Sequence, residues 1–261
     1  MSDEASAGEL KRLVAVMARL RGPGGCPWDQ EQTLRSLSPY LLEETYELLE
    51  AIDAQDPEAH REELGDVLLQ VVFQARIREE EGAFGLEDVA KGIADKMVRR
   101  HPHVFSDGRA ETSEEVVRAW EAIKDQEKSE RASVMDGVPT ALPSLALSQK
   151  LQLRAARVGF DWTQVEDVLA KLEEELEELH HARAQGDREG TEAEVGDLLF
   201  SVVNLARHLG VSAEDALRGS ARRFERRFRE VERRLDDQGR SPAEASLAEL
   251  DELWDEVKSE E

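Results

Sequence analysis

The chain has 261 residues, a length that suits one large domain or two of ordinary size. Its 34 Lys and Arg stand against 58 Asp and Glu, and the formal charge of −24 argues against broad binding to nucleic acid or to an anionic membrane. A hydrophobic share of 40% supplies a core, so wholesale disorder is not expected, while 5% aromatics and an excess of Ala, Leu, Glu and Arg favour helices over strands. The single Cys26 excludes an intramolecular disulfide framework and fits a reducing compartment. No apolar stretch approaches a membrane span, and the acidic start lacks the basic and apolar regions of a signal peptide. A soluble cytoplasmic protein is expected.

Apolar spacings of three and four predict helices over 7–21, 37–55, 58–81, 86–101 and 113–130. Asp56-Pro57 and Gly82 to Gly85 mark breaks between them. The stretch Val67 to Phe73 alone reads equally as a buried strand, but it lies in a longer segment without turn residues, and that length favours a helix. Because the stretch is apolar nearly all round, it is expected to be the central helix of its bundle. Between Ser129 and Ser144, Gly137, Pro139 and Pro143 forbid a continuous helix. Residues 129–145 are therefore read as a linker between a first unit, 1–128, and a second, 146–261. The second half predicts helices over 144–157, 165–185, 190–209, 213–236 and 241–259, with a break from Gly186 to Gly190. Ser212 suits an N-cap ahead of Glu214 and Asp215.

An internal repeat supports this division. The segment Glu63 to Arg76 returns as Glu194 to Arg207, a shift of 131 residues, and the same shift carries Glu43, Glu44 and Glu47 onto Glu174, Glu175 and Glu178. Farther on the shift is 127, and it carries Lys96, Arg99 and Arg100 onto Arg223, Arg226 and Arg227. Trp120 with Lys124 matches Trp254 with Lys258. Four blocks in one order make two copies of a helical unit, and the fold class is all-α.

The first block, E-E-x-x-E, puts its carboxylates on one helix face. In so acidic a chain it also reads as a solvated face. The second block sets Glu63 and Asp66 around Gly65, and Glu194 and Asp197 around Gly196, at the mouth of the most apolar helix. A carboxylate left unpaired near a core is expensive, although helix capping would also employ these acids. A helical glycine costs roughly 1 kcal/mol against alanine, so its recurrence implies the close approach of another helix or of a ligand. Two acidic helices together make an oxygen-rich cluster that must take up protons or a cation, and all-oxygen ligation points to Mg²⁺ or Mn²⁺. Zinc is disfavoured by the one Cys and the lack of H-E-x-x-H. His180 and His181 point to different sides of a helix, and His101 and His103 flank Pro102 as a turn or cap. The cationic block reads either as partners for surface acids or as phosphate contacts. The Trp of the fourth block reads either as core or as a stacking platform for a base. With no Walker glycine loop and no Ser-His-Asp or Cys-His arrangement apparent, direct hydrolysis of a metal-bound polyphosphate is the preferred chemistry.

Together these blocks resemble the MazG-type nucleoside triphosphate pyrophosphohydrolases, in their two-repeat bacterial form. The resemblance runs from Gly24–Asp29 through His101–Phe105, Asp136–Pro139, Lys150–Arg154 and Val158–Trp162 to Lys258. It implies tandem helical-bundle repeats, an intertwined homodimer, and Mg²⁺-dependent hydrolysis of nucleoside triphosphates to monophosphates and pyrophosphate. It implies that Glu174, Glu175, Glu178, Glu194 and Asp197 are catalytic, the last four of these ligating metal, and the main site is expected in the second repeat because only that repeat carries Lys171. Lys171, Arg223, Arg226, Arg227, Trp254 and Lys258 form its substrate-binding set. Glu44, Glu47, Glu63 and Asp66 are a possible second metal site in the first repeat, where Tyr40 stands in place of Lys171. Competing readings are a non-catalytic, metal-stabilised scaffold or regulatory partner, and a narrower dUTP or phosphoribosyl-ATP pyrophosphohydrolase.

Overall fold

The structure is a computed structural model that describes residues 3–127 and 132–260. It is all-α, with no strand among the described residues, and it divides into two compact units, residues 1–129 and 130–261. The first contains α1 (Asp3–Arg21), α2 (Pro27–Glu31), α3 (Leu34–Ala54), α4 (Pro57–Glu80), α5 (Leu86–Arg100), α6 (Pro102–Phe105) and α7 (Ser113–Gln126). The second contains α8 (Ser144–Ala156), α9 (Val165–Gln185), α10 (Arg188–His208), α11 (Ala213–Asp236) and α12 (Leu247–Ser259). Residues 128–130 of the helix expected over 113–130 lie outside the described residues.

Each unit is organised by a helical hairpin, and local chemistry makes its turn. Gln55 takes the left-handed conformation after α3, with φ 55°. Asp56 then accepts from the Glu58 and Ala59 amides at 2.9 and 3.3 Å. Pro57 at the first helical position has no amide to satisfy. In the second unit Gly186, with φ 69°, ends α9, and Asp187 accepts from the Gly190 amide at 3.0 Å to open α10. A two-residue connection makes each pair antiparallel neighbours.

Beneath the first hairpin Met17, Leu37, Val72, Phe73 and Ile77 form the core. Arg21 fastens its edge. The guanidinium lies 5.4 Å from the Phe73 ring centre, pairs with Glu80 at 2.8 Å, and donates to the carbonyls of Asp29 and Gln32. In the second unit Gln149 of α8 donates to the Val211 carbonyl and accepts from the Ala213 amide, both at 2.9 Å, which ties the start of α11 to α8. Ser212 caps α11 as expected, accepting from Asp215 at 3.4 Å. Arg154, buried on α8, donates to the Val134 carbonyl at 3.0 Å and so holds part of the segment read as a linker. A second core joins Val231, Leu235 and Val257 with Trp254.

Three expectations change. The helix expected over 241–259 is a short 3-10 turn, Pro242–Glu244, followed by α12. The reason is two successive capping boxes, Ser241 with Glu244 and Ser246 with Glu249, with Ala245 extended between them. The short helices α2 and α6 form where the sequence predicts none. Finally, α4 is not enclosed on all sides. Helices α1, α3 and α5 pack on it and leave one face open. Leu64, Leu68 and Val71 stay exposed on α4, as do Val195, Leu199 and Val202 at the repeat-equivalent positions of α10, each by 39–51%.

Phe73 is the large aromatic of the first core and is 3% exposed. Phe73→Ala is expected to lower the unfolding free energy by about 3–5 kcal/mol, read from urea titration. A loss below about 1 kcal/mol would show that Arg21 and its partners, rather than apolar packing, hold this edge.

Candidate functional site

The hairpins bring the predicted carboxylates together. Glu44 of α3 meets Glu63 and Asp66 of α4, and Glu175 of α9 meets Glu194 and Asp197 of α10. In each triad one oxygen from every member lies within 4.8 Å of the others. Two of the three come from positions three apart on one helix, which places them on a common face. Glu47 and Glu178 lie outside these tight triads, but their charges act on Glu63 and Glu194.

Crowding shows in the electrostatics. Burial, then the charges of Asp66, Glu47 and Glu63, push the Glu44 carboxyl above its usual range. Burial, then Glu47 and Asp66, raise Glu63. Burial, then Glu178, Glu175 and Asp197, raise Glu194, with Lys171 opposing. Glu63 Oε2 is also buried and finds no hydrogen-bond partner among the described residues. Convergent hard oxygens with an orphaned buried acceptor fit a hard divalent cation.

The two triads differ in one neighbour. Lys171 Nζ lies 2.9 Å from Glu174 Oε1 and 2.7 Å from Glu175 Oε1, and these bonds, that to Glu175 foremost, hold its ammonium above the usual lysine range. In the first unit Tyr40 instead sets its ring edge-on to Trp28, 5.9 Å between centres, and Trp28 lies 6.5 Å from Phe73.

Among the described residues, the glycines between the acids do not mark contact with another helix of their own unit. A Cβ at Gly65 or Gly196 would meet no atom within 4 Å. Helix packing within the unit is thereby removed as their explanation.

The cationic residues gather on a separate helix pair, α11 and α12. Arg223 and Arg226 are exposed, as is Lys258. Arg227 lies over the Trp254 ring at 5.7 Å, and Trp254 packs on Phe224 and on the Val231, Leu235 and Val257 core. The indole therefore fills the core role that its sequence position left open. Arg226 and Arg227 line a groove of about 680 Å³ together with Arg222 and Arg233. The first unit repeats the aromatic pair, with Arg100 over Trp120 at 5.8 Å, but Arg99 and Arg100 are both ion-paired with Glu127, at 2.6 and 2.5 Å.

The histidines stay outside both triads. His101 caps α5, its Nδ1 2.7 Å from the Met97 carbonyl. His180 and His181 are exposed, and His181 contacts Gln185 at 2.7 Å. One cluster that sequence reasoning missed supports the second hairpin. Asp161 accepts from Arg207 at 2.8 Å and contacts His208 at 3.1 Å, and Arg207 also donates to buried Asn204 at 3.1 Å. These bonds, Arg207 foremost, hold Asp161 below its usual range and tie the approach to α9 onto α10. Its sequence signal was Arg207 itself, repeated as Arg76, which pairs with Glu79 and Glu80 at 2.9 Å instead.

A duplicated helical hairpin that carries an all-oxygen triad between its two helices defines an all-α protein with acidic groups in each unit that could hold a metal ion. The MazG nucleotide pyrophosphohydrolase domain matches residues 32–105 and 163–231, and the chain belongs to that family. It is 48% identical over 258 residues to the nucleoside triphosphate pyrophosphohydrolase of Escherichia coli K12, covering 97% of this chain and 98% of that one. It is 46% identical over 250 residues to the nucleoside triphosphate pyrophosphohydrolase/pyrophosphatase MazG of Thermotoga maritima, covering 95% of each. A crystal structure of a mazG-related protein from Thermotoga maritima matches 44% of this chain and 98% of its own, at 27% identity and a TM-score of 0.39.

The raised carboxyls have a consequence for stability. Their folded values lie above the unfolded value of 4.5, so between neutral pH and 4.5 the folded chain binds the extra protons. Stability then falls as pH rises through the raised values and recovers on mild acidification. In EDTA, the melting temperature of the wild type is expected to climb more steeply than that of Glu63→Gln as the pH drops over this window. Equal slopes would mean that the triad stores no repulsion.

Proposed function

We propose that the protein hydrolyses nucleoside triphosphates to monophosphates and pyrophosphate, with Mg²⁺ as its cation and Mn²⁺ as a substitute. The observation that carries this reading is the second triad, Glu175, Glu194 and Asp197, with Lys171 one turn before it. The relatives' names give the same reaction class. Bound there, a divalent cation supplies a Lewis acid for the phosphoanhydride and lowers the pKa of water. The chain's own residues do the rest. Glu175, Glu178, Glu194 and Asp197 would hold the cation, Glu178 from beside the tight triad that the other three form. Lys171 and Glu174 form the edge where phosphate enters. Arg223, Arg226 and Lys258 neutralise phosphate charge, and Trp254 keeps Arg227 in place so that the two contact the nucleotide as one unit. The first triad, with Glu47 beside it, holds a second cation without a matching lysine.

We further propose a homodimer acting on the cytoplasmic nucleotide pool. The matching apolar stripes on α4 and α10 support pairing, and among the described residues no helix is long and apolar enough to cross a membrane. Sedimentation equilibrium is expected to give twice the chain mass of 29.3 kDa, and a monomer at micromolar concentration would refute pairing.

The activity test is chromatography of the products with Mg²⁺ present. Pyrophosphate and monophosphate are expected, and a diphosphate as first product would refute the reading. Glu175→Gln should lower kcat/KM by about 100-fold or more, as loss of a metal ligand does, while Glu44→Gln leaves a substantial part. Equal losses in folded variants would mean two equivalent or coupled sites.

A further inference from the structure

We propose that the second triad takes its cation and its phosphate ligand together, as a preformed metal–nucleotide chelate, because Lys171 occupies the carboxylates until a phosphate draws it away. The inference rests on the metal-site reading above and adds an order of binding to it.

Lys171 bridges two acids at once, Glu174 at 2.9 Å and Glu175 at 2.7 Å. The Glu175 side chain is only 7% exposed, so water contributes little to its solvation and the ammonium is its main counter-charge. A divalent cation arriving alone must share that carboxylate with a positive charge a few ångströms away. Either the two cations repel in a partly desolvated site, or the ammonium leaves an ion pair with nothing in exchange. A phosphate oxygen changes this balance, since it offers the ammonium a new anion while the cation takes over the carboxylates. Lysine suits the exchange, being a compact point charge on a flexible stem, where a planar guanidinium would remain forked on its partners. Its side chain is 32% exposed and has room to turn.

The first unit supplies the comparison within the same chain. At the position of Lys171 it has Tyr40, engaged with Trp28, and Glu63 Oε2 has no hydrogen-bond partner among the described residues. No ammonium competes for the carboxylates from that position, so the first triad accepts a bare divalent cation and the second waits for nucleotide. Coupling between metal and nucleotide is then a property of the second unit, and by linkage it is reciprocal.

The test uses the full chain stripped with EDTA, at one fixed pH, with Mn²⁺ binding read by electron paramagnetic resonance. Glu44→Gln serves as the background, to weaken the first triad. An α,β-methylene triphosphate supplies uncleavable phosphates. In this background the analogue is expected to tighten Mn²⁺ binding by about tenfold or more. Adding Lys171→Met should tighten Mn²⁺ binding without the analogue by about the same factor and remove most of the analogue's help. Conversely, Tyr40→Lys in the otherwise unaltered chain should weaken the tight class of Mn²⁺ sites. Unchanged or weaker Mn²⁺ affinity in a folded Lys171→Met variant would overturn the proposal and leave Lys171 as a phosphate contact only. Glu194→Gln in the same background separates the two levels. If it leaves the analogue-dependent Mn²⁺ binding of that background unchanged, the second triad's carboxylates are not the metal site, and the functional reading falls with the inference.

Discussion

Like charges forced together on a short hairpin are the constraint around which this protein is built. Burial and neighbouring acids raise the carboxyls of Glu44, Glu63 and Glu194, so a triad without protons or a cation opposes the fold, and the surrounding structure must hold against it. The turns do part of this work. Gln55 and Asp56 in one unit, and Gly186 and Asp187 in the other, fix the register at which the acidic faces meet. The cores do the remainder, with Phe73 under the first hairpin and buried Val203 on the second.

The duplication separates what the architecture demands from what can vary. The hairpin, the triad, the open apolar face and an arginine over a tryptophan occur in both units. These belong to the fold. The supports around them have diverged. Arg207 reaches to Asp161, whereas Arg76 stays on its own helix with Glu79 and Glu80. Lys171 touches the second triad, and Tyr40 turns to Trp28. A single position thus alters the electrostatics of a site whose acids are unchanged.

Much of this was legible in the sequence, and the exceptions have physical reasons. Ser212 could be placed as a cap because capping is local, decided within three residues. The start of α12 could not, because two capping boxes, Ser241 with Glu244 and Ser246 with Glu249, both form and divide the segment into a 3-10 turn and a helix. The apolar run of α4 signalled burial but not by what, since periodicity counts apolar residues and not their neighbours. Gly65 and Gly196 point to close approach, yet within its own unit neither glycine has a described atom within 4 Å of where a Cβ would sit. The triads were readable through the repeat, which pairs acids more than a hundred residues apart. The Lys171–Glu175 pair was visible as a spacing of four, but spacing does not say whether a lysine points to an acid or away from it.

The open stripes on α4 and α10 sit on a body of net charge −24, and in the homodimer proposed above that combination would govern how two copies meet. At low ionic strength each chain is a strong polyanion, and its long-range field repels any second copy before apolar surfaces touch. Within a Debye length, about 8 Å at physiological salt, dehydration of the stripes takes over. Adventitious sticking would thus be suppressed by a barrier, while a matched encounter would be captured by a well. Salt would lower the barrier and leave the well nearly intact, so the association rate of such a pair would rise with ionic strength while its dissociation rate changed little. The acidic surface thereby acts as a kinetic filter against irregular aggregation through the same leucines and valines that a specific pairing would use.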